Sequence, residues 1–283
     1  MATFTNFATL SYNGGTTTSN IVTGQLLETL AVSKIAVMDD YTARDDVTYV
    51  VTLRNSGTAP LTGLTVTDDL GAYQFEGNTG YPLEYTANSL HYYVNGVLQA
   101  TPAIADSQPL TITGISVPAG GNVMLIYEAT VTNYAPLDVD DTITNTVTVT
   151  GGGLAAPLTA SETIGTEDRA DLTISKSVSP DVVTDNGQPT YTFVIANHGN
   201  TPAVATDDVV VTDVFDPILN PISVTFAGDA WVEGVNYTYD EATGAFATLP
   251  GQITVPAATY TRNDDGTWTV NPGTVTLTVT GTV

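Results

Sequence analysis

The chain has no cysteine, which excludes disulfide reinforcement and thiolate chemistry alike. Bases are scarce: Lys and Arg total 6 against 30 Asp and Glu, for a formal net charge of −24. That balance leaves no positive face to neutralise phosphates, so neither nucleic acid nor an anionic membrane surface is an expected partner. No apolar run approaches a membrane span, and the N-terminus has neither the basic nor the apolar region of a signal peptide. Membrane insertion is therefore not expected, and the chain reads as carrying no signal peptide. His91 and His198 stand alone, without the spacing of metal ligands. Gly-x-Ser-x-Gly, a phosphate-binding glycine loop and a zincin motif are all missing, so nothing points to a turnover enzyme, a cofactor or a metal centre.

What is present reads as β-strand. Leu30 to Val37, Val47 to Arg54, Leu61 to Thr67, Leu90 to Leu98, Val123 to Thr132 and Ile143 to Thr150 are rich in Val, Ile, Thr and Tyr and alternate with period two. Asn55-Ser-Gly57, the hairpin signal Asn95-Gly96 and Ala119 to Asn122 punctuate them. No window holds a helical period. With 42% hydrophobic residues, 283 positions suffice for two cores.

The order of signals then recurs. Val32-Ser-Lys34 returns as Ile174-Ser-Lys176, and Thr48 to Gly57 returns as Thr190 to Gly199. Thr65 to Asp68 returns as Val211 to Asp213, and Val123 to Val131 as Val275 to Val283, with an added hairpin around Asn263 to Gly266. The strand Thr142 to Gly151 has no later copy, yet Ala2 to Asn13 repeats its wording, Asn6 matching Asn145. The expected plan is all-β: an N-terminal donor strand over 1–13, a linker over 14–28, an immunoglobulin-like β-sandwich over 29–151, a second linker over 152–170, and a second sandwich over 171–283 that lacks its last strand. The distance from asparagine to the next lysine agrees between copies, 176 − 145 = 31 and 34 − 6 = 28.

These blocks resemble the bacterial conserved-repeat domain, domain of unknown function eleven, over nearly all of the chain. The resemblance rests on the Lys-bearing first strand, the Tyr-Thr…Asn-x-Gly block, the Val-Thr-Asp block and the closing Thr-Asn-Thr strand. It implies an immunoglobulin-like sandwich from a cell-surface or appendage protein. Phe7, where Thr is usual, and Asp213-Val-Phe215, where Asp-Thr-Leu is usual, depart from the pattern.

Alternation along a strand assigns faces. Leu30, Val32, Lys34 and Ala36 share one, as do Leu172, Ile174, Lys176 and Val178. Ile143, Asn145, Val147 and Val149 share another, as do Phe4, Asn6, Ala8 and Leu10 in the donor strand. Asp68 lies in phase with Leu64 and Val66, and Asp213 with Val209 and Val211. One lysine, one asparagine and one aspartate thus point inward for each of two equivalent places, and the two places use both lysines of the chain. This is the residue set of a self-forming isopeptide bond, similar in placement to Gram-positive pilin and adhesin domains. A buried lysine sheds its charge and becomes a nucleophile, while a buried aspartate keeps its proton, polarises the asparagine carbonyl and relays protons as ammonia leaves. Lys34 with Asn145, assisted by Asp68, would close within one domain. Lys176 with Asp213 would need Asn6 from outside its own domain. The plainer alternative is two buried ion pairs, which desolvation makes costly.

The functional expectation is a structural filament subunit polymerising head to tail with itself by strand donation, as an extracellular surface appendage; family habit suggests a spore-associated one. A monomeric surface adhesin whose N-terminal strand completes its own second domain is the alternative. The acidic clusters Asp39-Asp40, Asp45-Asp46 and Asp138 to Asp141 could hold Ca²⁺ through carboxylate oxygens, but none has EF-hand spacing, and no bound ion is expected. Trp231, Trp268 and Tyr92-Tyr93 read equally as packing or as a ligand face.

Overall fold

The computed structural model describes residues 2–26 and 29–283. The protein is all-β; among the described residues the helical turns reduce to one 3-10 segment, Ala205–Asp207. It divides into two compact units, Met1–Ala135 with Thr142–Gly165, and Pro136–Asp141 with Thr166–Val283.

The chain begins with a β-hairpin. Strand β1 (Ala2–Asn6) pairs antiparallel with β4 (Val22–Leu26), and β2 (Thr9–Tyr12) pairs with β3 (Gly15–Thr18). The stretch 14–28, which reads as a linker from composition, therefore contributes two strands. Weak apolar periodicity hides them, because Thr- and Gly-rich strands exposed on both faces carry little alternation.

Unit 1 continues with β5 (Leu30–Ala36), β6 (Asp40–Tyr41), β7 (Asp46–Asn55) and β8 (Leu61–Asp68). A small hairpin, β9 (Tyr73–Phe75) and β10 (Asn78–Gly80), precedes β11 (Leu83–Tyr85), β12 (His91–Val94) and β13 (Val97–Leu98). The turn from β12 to β13 holds Asn95 and Gly96 at positive φ, as its dipeptide predicts. Then come β14 (Ala103–Ser107), β15 (Leu110–Val117), β16 (Asn122–Val131), β17 (Thr142–Gly151) and β18 (Leu158–Thr166). Strand β18 occupies half of the stretch 152–170 that composition suggests as linker. The strands form two sheets, in the orders β13-β12-β16-β7-β5 and β14-β15-β8-β17-β18-β6. Alternation builds the core between them: Val47, Tyr49, Val51 and Leu53 of β7 and Val123, Leu125, Tyr127 and Ala129 of β16 are all buried, their neighbours facing outward.

Unit 2 repeats the plan with β19 (Leu172–Ser179), β20 (Thr190–Asn197), β21 (Thr212–Val214), β22 (Ile222–Phe226), β23 (Asp229–Trp231), β24 (Tyr237–Asp240) and β25 (Ala245–Thr248). The added hairpin is β26 (Thr259–Arg262) with β27 (Trp268–Asn271), and β28 (Gly273–Gly281) follows. One sheet runs β19-β20-β28-β22-β23, the other β21-β25-β24. Phe193, Ile195, Leu277 and Val279 of the first pack with Phe215, Tyr237 and Phe246 of the second. Strands β21, β25 and β24 take the parts of β8, β15 and β14, but among the described residues β21 has no counterpart of β17 or β18 beside it.

The repeated Asn-x-Gly blocks have a structural cause. Asn55 donates to the Ala59 carbonyl at 2.8 Å and accepts from the Gly57 N–H at 2.9 Å, and Asn197 does the same with Thr201 and Gly199. A Cβ at Gly199 would lie 2.0 Å from the Arg169 carbonyl oxygen, so only glycine fits there.

Candidate functional site

The first cluster forms where β5, β8 and β17 enclose one end of the unit 1 core. The parity of each strand turns Lys34, Asp68 and Asn145 inward, and all three are buried. Lys34 Nζ donates to Asp68 Oδ2, and the Tyr127 hydroxyl donates to the same oxygen. The Leu70 N–H holds Asp68 Oδ1 at 2.9 Å. Lys34 Nζ also lies 4.5 Å from the centroid of the Tyr49 ring, which stacks on Tyr127 at 5.9 Å. The Asn145 side chain sits in this pocket with neither Nδ2 nor Oδ1 hydrogen-bonded. The Tyr49 hydroxyl is beside that amide, close enough for it to moderate the phenol's acidity, but outside hydrogen-bond geometry.

The electrostatics follow from burial. Desolvation pulls the Lys34 ammonium below its ordinary value, against the opposing attraction of Asp68. It also pushes the phenols of Tyr49 and Tyr127 upward, with the charge of Asp68 adding to the effect at Tyr127. Both phenols are therefore neutral over the physiological range, and the Tyr127 hydroxyl donates to Asp68.

The second cluster is the same pair in a different setting. Lys176 of β19 donates to Asp213 of β21, beneath the rings of Tyr191, Phe193 and Phe215 at 4.8, 5.4 and 5.4 Å. Here the two side chains are 40% and 18% exposed, against 0% and 2% for Lys34 and Asp68. Parity predicts an inward Lys176, and the side chain does point to the aromatic face, but among the described residues no strand covers it. Ile174 and Val178 on the same face of β19 are exposed as well. Val279 pairs with Tyr191 where Tyr127 pairs with Tyr49, so this cluster lacks the phenol that binds the aspartate.

Asn6, the expected partner of Lys176, stands on the N-terminal hairpin opposite Val22, exposed to solvent. Phe4, Ala8 and Leu10 of the same stretch are exposed too, Phe4 at 56% and Leu10 at 62%. The structure pairs Lys34 with Asp68 and buries Asn145 beside Tyr49, and it adds Tyr49 and Tyr127, which the sequence reading passes over. The available signal was an inward tyrosine at paired positions of β7 and β16.

The remaining candidates have ordinary surroundings. His91 Nδ1 lies 2.8 Å from the Ser89 carbonyl oxygen, and His198 Nε2 lies 3.3 Å from the Thr173 hydroxyl. Asp45 caps Thr42 through its N–H and hydroxyl, Asp46 accepts from Thr130, and Asp141 accepts from the Asp138 N–H. Trp231 stacks on Phe226, Arg262 lies over Trp268, and the Tyr92 hydroxyl donates to the Ser116 carbonyl.

No family model matches the chain, and no curated protein does, so the conserved-repeat resemblance is not backed by a family match. Solved structures with similar folds include BcpA, the major pilin subunit of Bacillus cereus, at 12% identity and a TM-score of 0.36, covering 96% of this chain and 73% of that one. The pilus backbone RrgB of Streptococcus pneumoniae matches at 12% identity and a TM-score of 0.35, over 86% of this chain and 55% of that one. A family 123 glycoside hydrolase of Clostridium perfringens matches at 10% identity and 0.31, over 49% of this chain and 27% of that one. The chain thus spans about half of the RrgB chain and about a quarter of the hydrolase. At such values these likenesses assign it no activity.

Proposed function

We propose that the protein is a structural subunit that polymerises head to tail by donating its N-terminal segment to unit 2 of a second copy, in an appendage outside the cell. The polymer is reinforced by two amide bonds per repeat, Lys34 to Asn145 within a chain and Lys176 to Asn6 between chains. The observation that carries this reading is the contrast between the clusters: one enclosed with its asparagine, the other uncovered and short of one.

The chemistry of the first bond fits its surroundings. A proton passed from Lys34 to Asp68 along their hydrogen bond leaves a neutral amine facing the Asn145 carboxamide. The amine nitrogen attacks the carbonyl carbon; the Asp68 carboxyl, held by Tyr127 and the Leu70 N–H, gives its proton to the departing NH2, which leaves as ammonia, and takes up the proton that the new amide nitrogen sheds, ending neutral. One C–N bond forms and one breaks, with no oxidant. The reaction also relieves two burdens of the unreacted core. An unpartnered buried polar group costs about 1–3 kcal/mol, and a buried ion about several kcal/mol after relaxation. The product has neither the ion pair nor the free amide nitrogen.

Strand addition supplies the second site with its asparagine and gives the unpaired edge of β21 a full ladder of main-chain hydrogen bonds. Donor and acceptor surfaces differ, so the contact propagates into an open filament unless the rotation closes a ring. The deciding experiment is electrophoresis after boiling in denaturant. A ladder of multimers in the wild type, lost in Asn6→Ala and in Lys176→Ala, supports the reading. A monomer carrying only internal bonds instead supports an adhesin whose N-terminal segment completes its own unit 2.

A further inference from the structure

We infer that the donated element is the whole N-terminal β-hairpin, β1 to β4, inserted as a preformed two-stranded unit with Ala8 opposite Asp213; this rests on the donation reading above. Unit 1 supplies the template. Beside β8 lies β17, and β17 is followed by a turn and by β18, its antiparallel partner. Both strands are missing beside β21 among the described residues. The N-terminal hairpin matches that pair strand for strand. Asn145 lies opposite Glu162 across β17 and β18, and Asn6 lies opposite Val22 across β1 and β4.

The register follows from superposing Asn6 on Asn145 and Asp213 on Asp68. Val147↔Asp68, Thr148↔Thr67 and Val149↔Val66 become Ala8↔Asp213, Thr9↔Thr212 and Leu10↔Val211. Asn6 then stands over the β19 face that carries Lys176, as Asn145 stands over β5. The hairpin pairing shifts by one between Asn6↔Val22 and Thr9↔Thr18, so the extra residue lies on the outer arm, between Thr18 and Val22. The inner arm keeps its alternation, and Phe4, Asn6, Ala8 and Leu10 stay on one face.

Three further observations favour a hairpin over a single extended strand. A lone two-stranded hairpin is marginally stable in water, and this one exposes Phe4, Leu10 and Val22, so it requires a covering surface. The acceptor face offers one in the exposed Ile174 and Val178. A single inserted strand would leave its own outer edge unpaired, an edge that β18 closes in unit 1 and that β3 and β4 would close here. Finally, residues 2–26 carry no charged side chain in a chain of net charge −24, so they enter an acidic partner without like-charge repulsion.

The test uses the absence of cysteine. In the full chain, Thr5→Cys with Thr23→Cys places one thiol pair at opposed positions of β1 and β4, on the face away from Asn6. Oxidation at low concentration locks the hairpin shut, and thiol titration verifies the lock. The locked chain is expected to form the same boiling-resistant ladder, at a rate within about twofold of the same chain reduced. A locked chain that stays monomeric while the reduced chain polymerises overturns hairpin insertion, because the arms must then separate, and leaves strand donation intact. Failure of the wild type and both forms to polymerise overturns donation itself and the hairpin with it.

Discussion

Asn145 is buried in a packed core with both amide atoms unpartnered, beside Tyr49, whose ring lies 4.5 Å from Lys34 Nζ, and burial disfavours the charge of that lysine. Replacing Asn145 separates a covalent bond from an ion pair. Intact mass should show the wild type lighter than its sequence by one ammonia for the internal bond, and Asn145→Ala at full sequence mass. With the proposed bond in place in the wild type, the variant would also lack the cross-link from Lys34 to position 145. Loop-closure entropy for a loop of roughly 100 residues puts the loss near 4–5 kcal/mol by urea unfolding. Its stability should then follow pH in a defined direction. The free Lys34 has a folded value below the ordinary 10.5, so between the two the unfolded chain binds more protons and stability rises with pH. Below the folded value the cost of burying the charge is fully present, and above 10.5 it is gone. The bonded wild type has no amine there and should show no such slope. Tyr127→Phe removes one donor from Asp68 and should slow ammonia release by about ten- to a hundredfold, the worth of a hydrogen bond to a charged group. Lys34, Asp68 and Asn145 were legible because strand alternation alone turns them inward. Tyr49 and Tyr127 were not, because an inward tyrosine on a core strand has the same pattern whether its hydroxyl serves a carboxylate or only packs.

Among elements, β5, β7, β8, β12, β16 and β17 could be read from period two, whereas β15, whose register shift between Ile112 and Ile115 breaks the alternation, was not, nor were β3, β4 and β18. The Thr- and Gly-rich β3 and β4 are largely exposed over residues 15–18 and 22–24 and leave little hydrophobic period, while β18 is mostly polar and buries only Ile164 and Thr166 at its end. Lys176 shows the same limit from the other side: phase gave its face, but exposure depends on a neighbouring strand that local sequence does not encode. The turns were more legible. Asn55 and Asn197 mark the same buried clamp, so Asn197→Ala should strand the Gly199 and Asp171 N–H groups and the Thr201 carbonyl. A cost of about 1–3 kcal/mol is expected in the unfolding of unit 2, with unit 1 unaffected. Equal loss in both units would contradict their independence.

For the whole molecule, a chain of net charge −24 that assembles with itself must bring like charges together. Screening weakens that repulsion, so polymerisation should quicken as salt rises from about 0.01 to about 0.15 M, where the Debye length shortens from roughly 30 to roughly 8 Å. Light scattering during assembly would measure it, and slower assembly in salt would mean that ionic attraction drives the contact instead. On the proposed reading, the two-fold repetition of Lys and Asp, with one asparagine buried in unit 1 and its counterpart exposed on the N-terminal hairpin, would tie cohesion within a subunit to cohesion between subunits. The most direct test is the intact mass of each boiled multimer, resolved by size, with the junction located by peptide mass spectrometry. The expected result is a loss of one ammonia per chain plus one per junction, and a Lys176–Asn6 linked peptide in every multimer. Multimers at the full summed mass, or junctions through any other pair of residues, would contradict it.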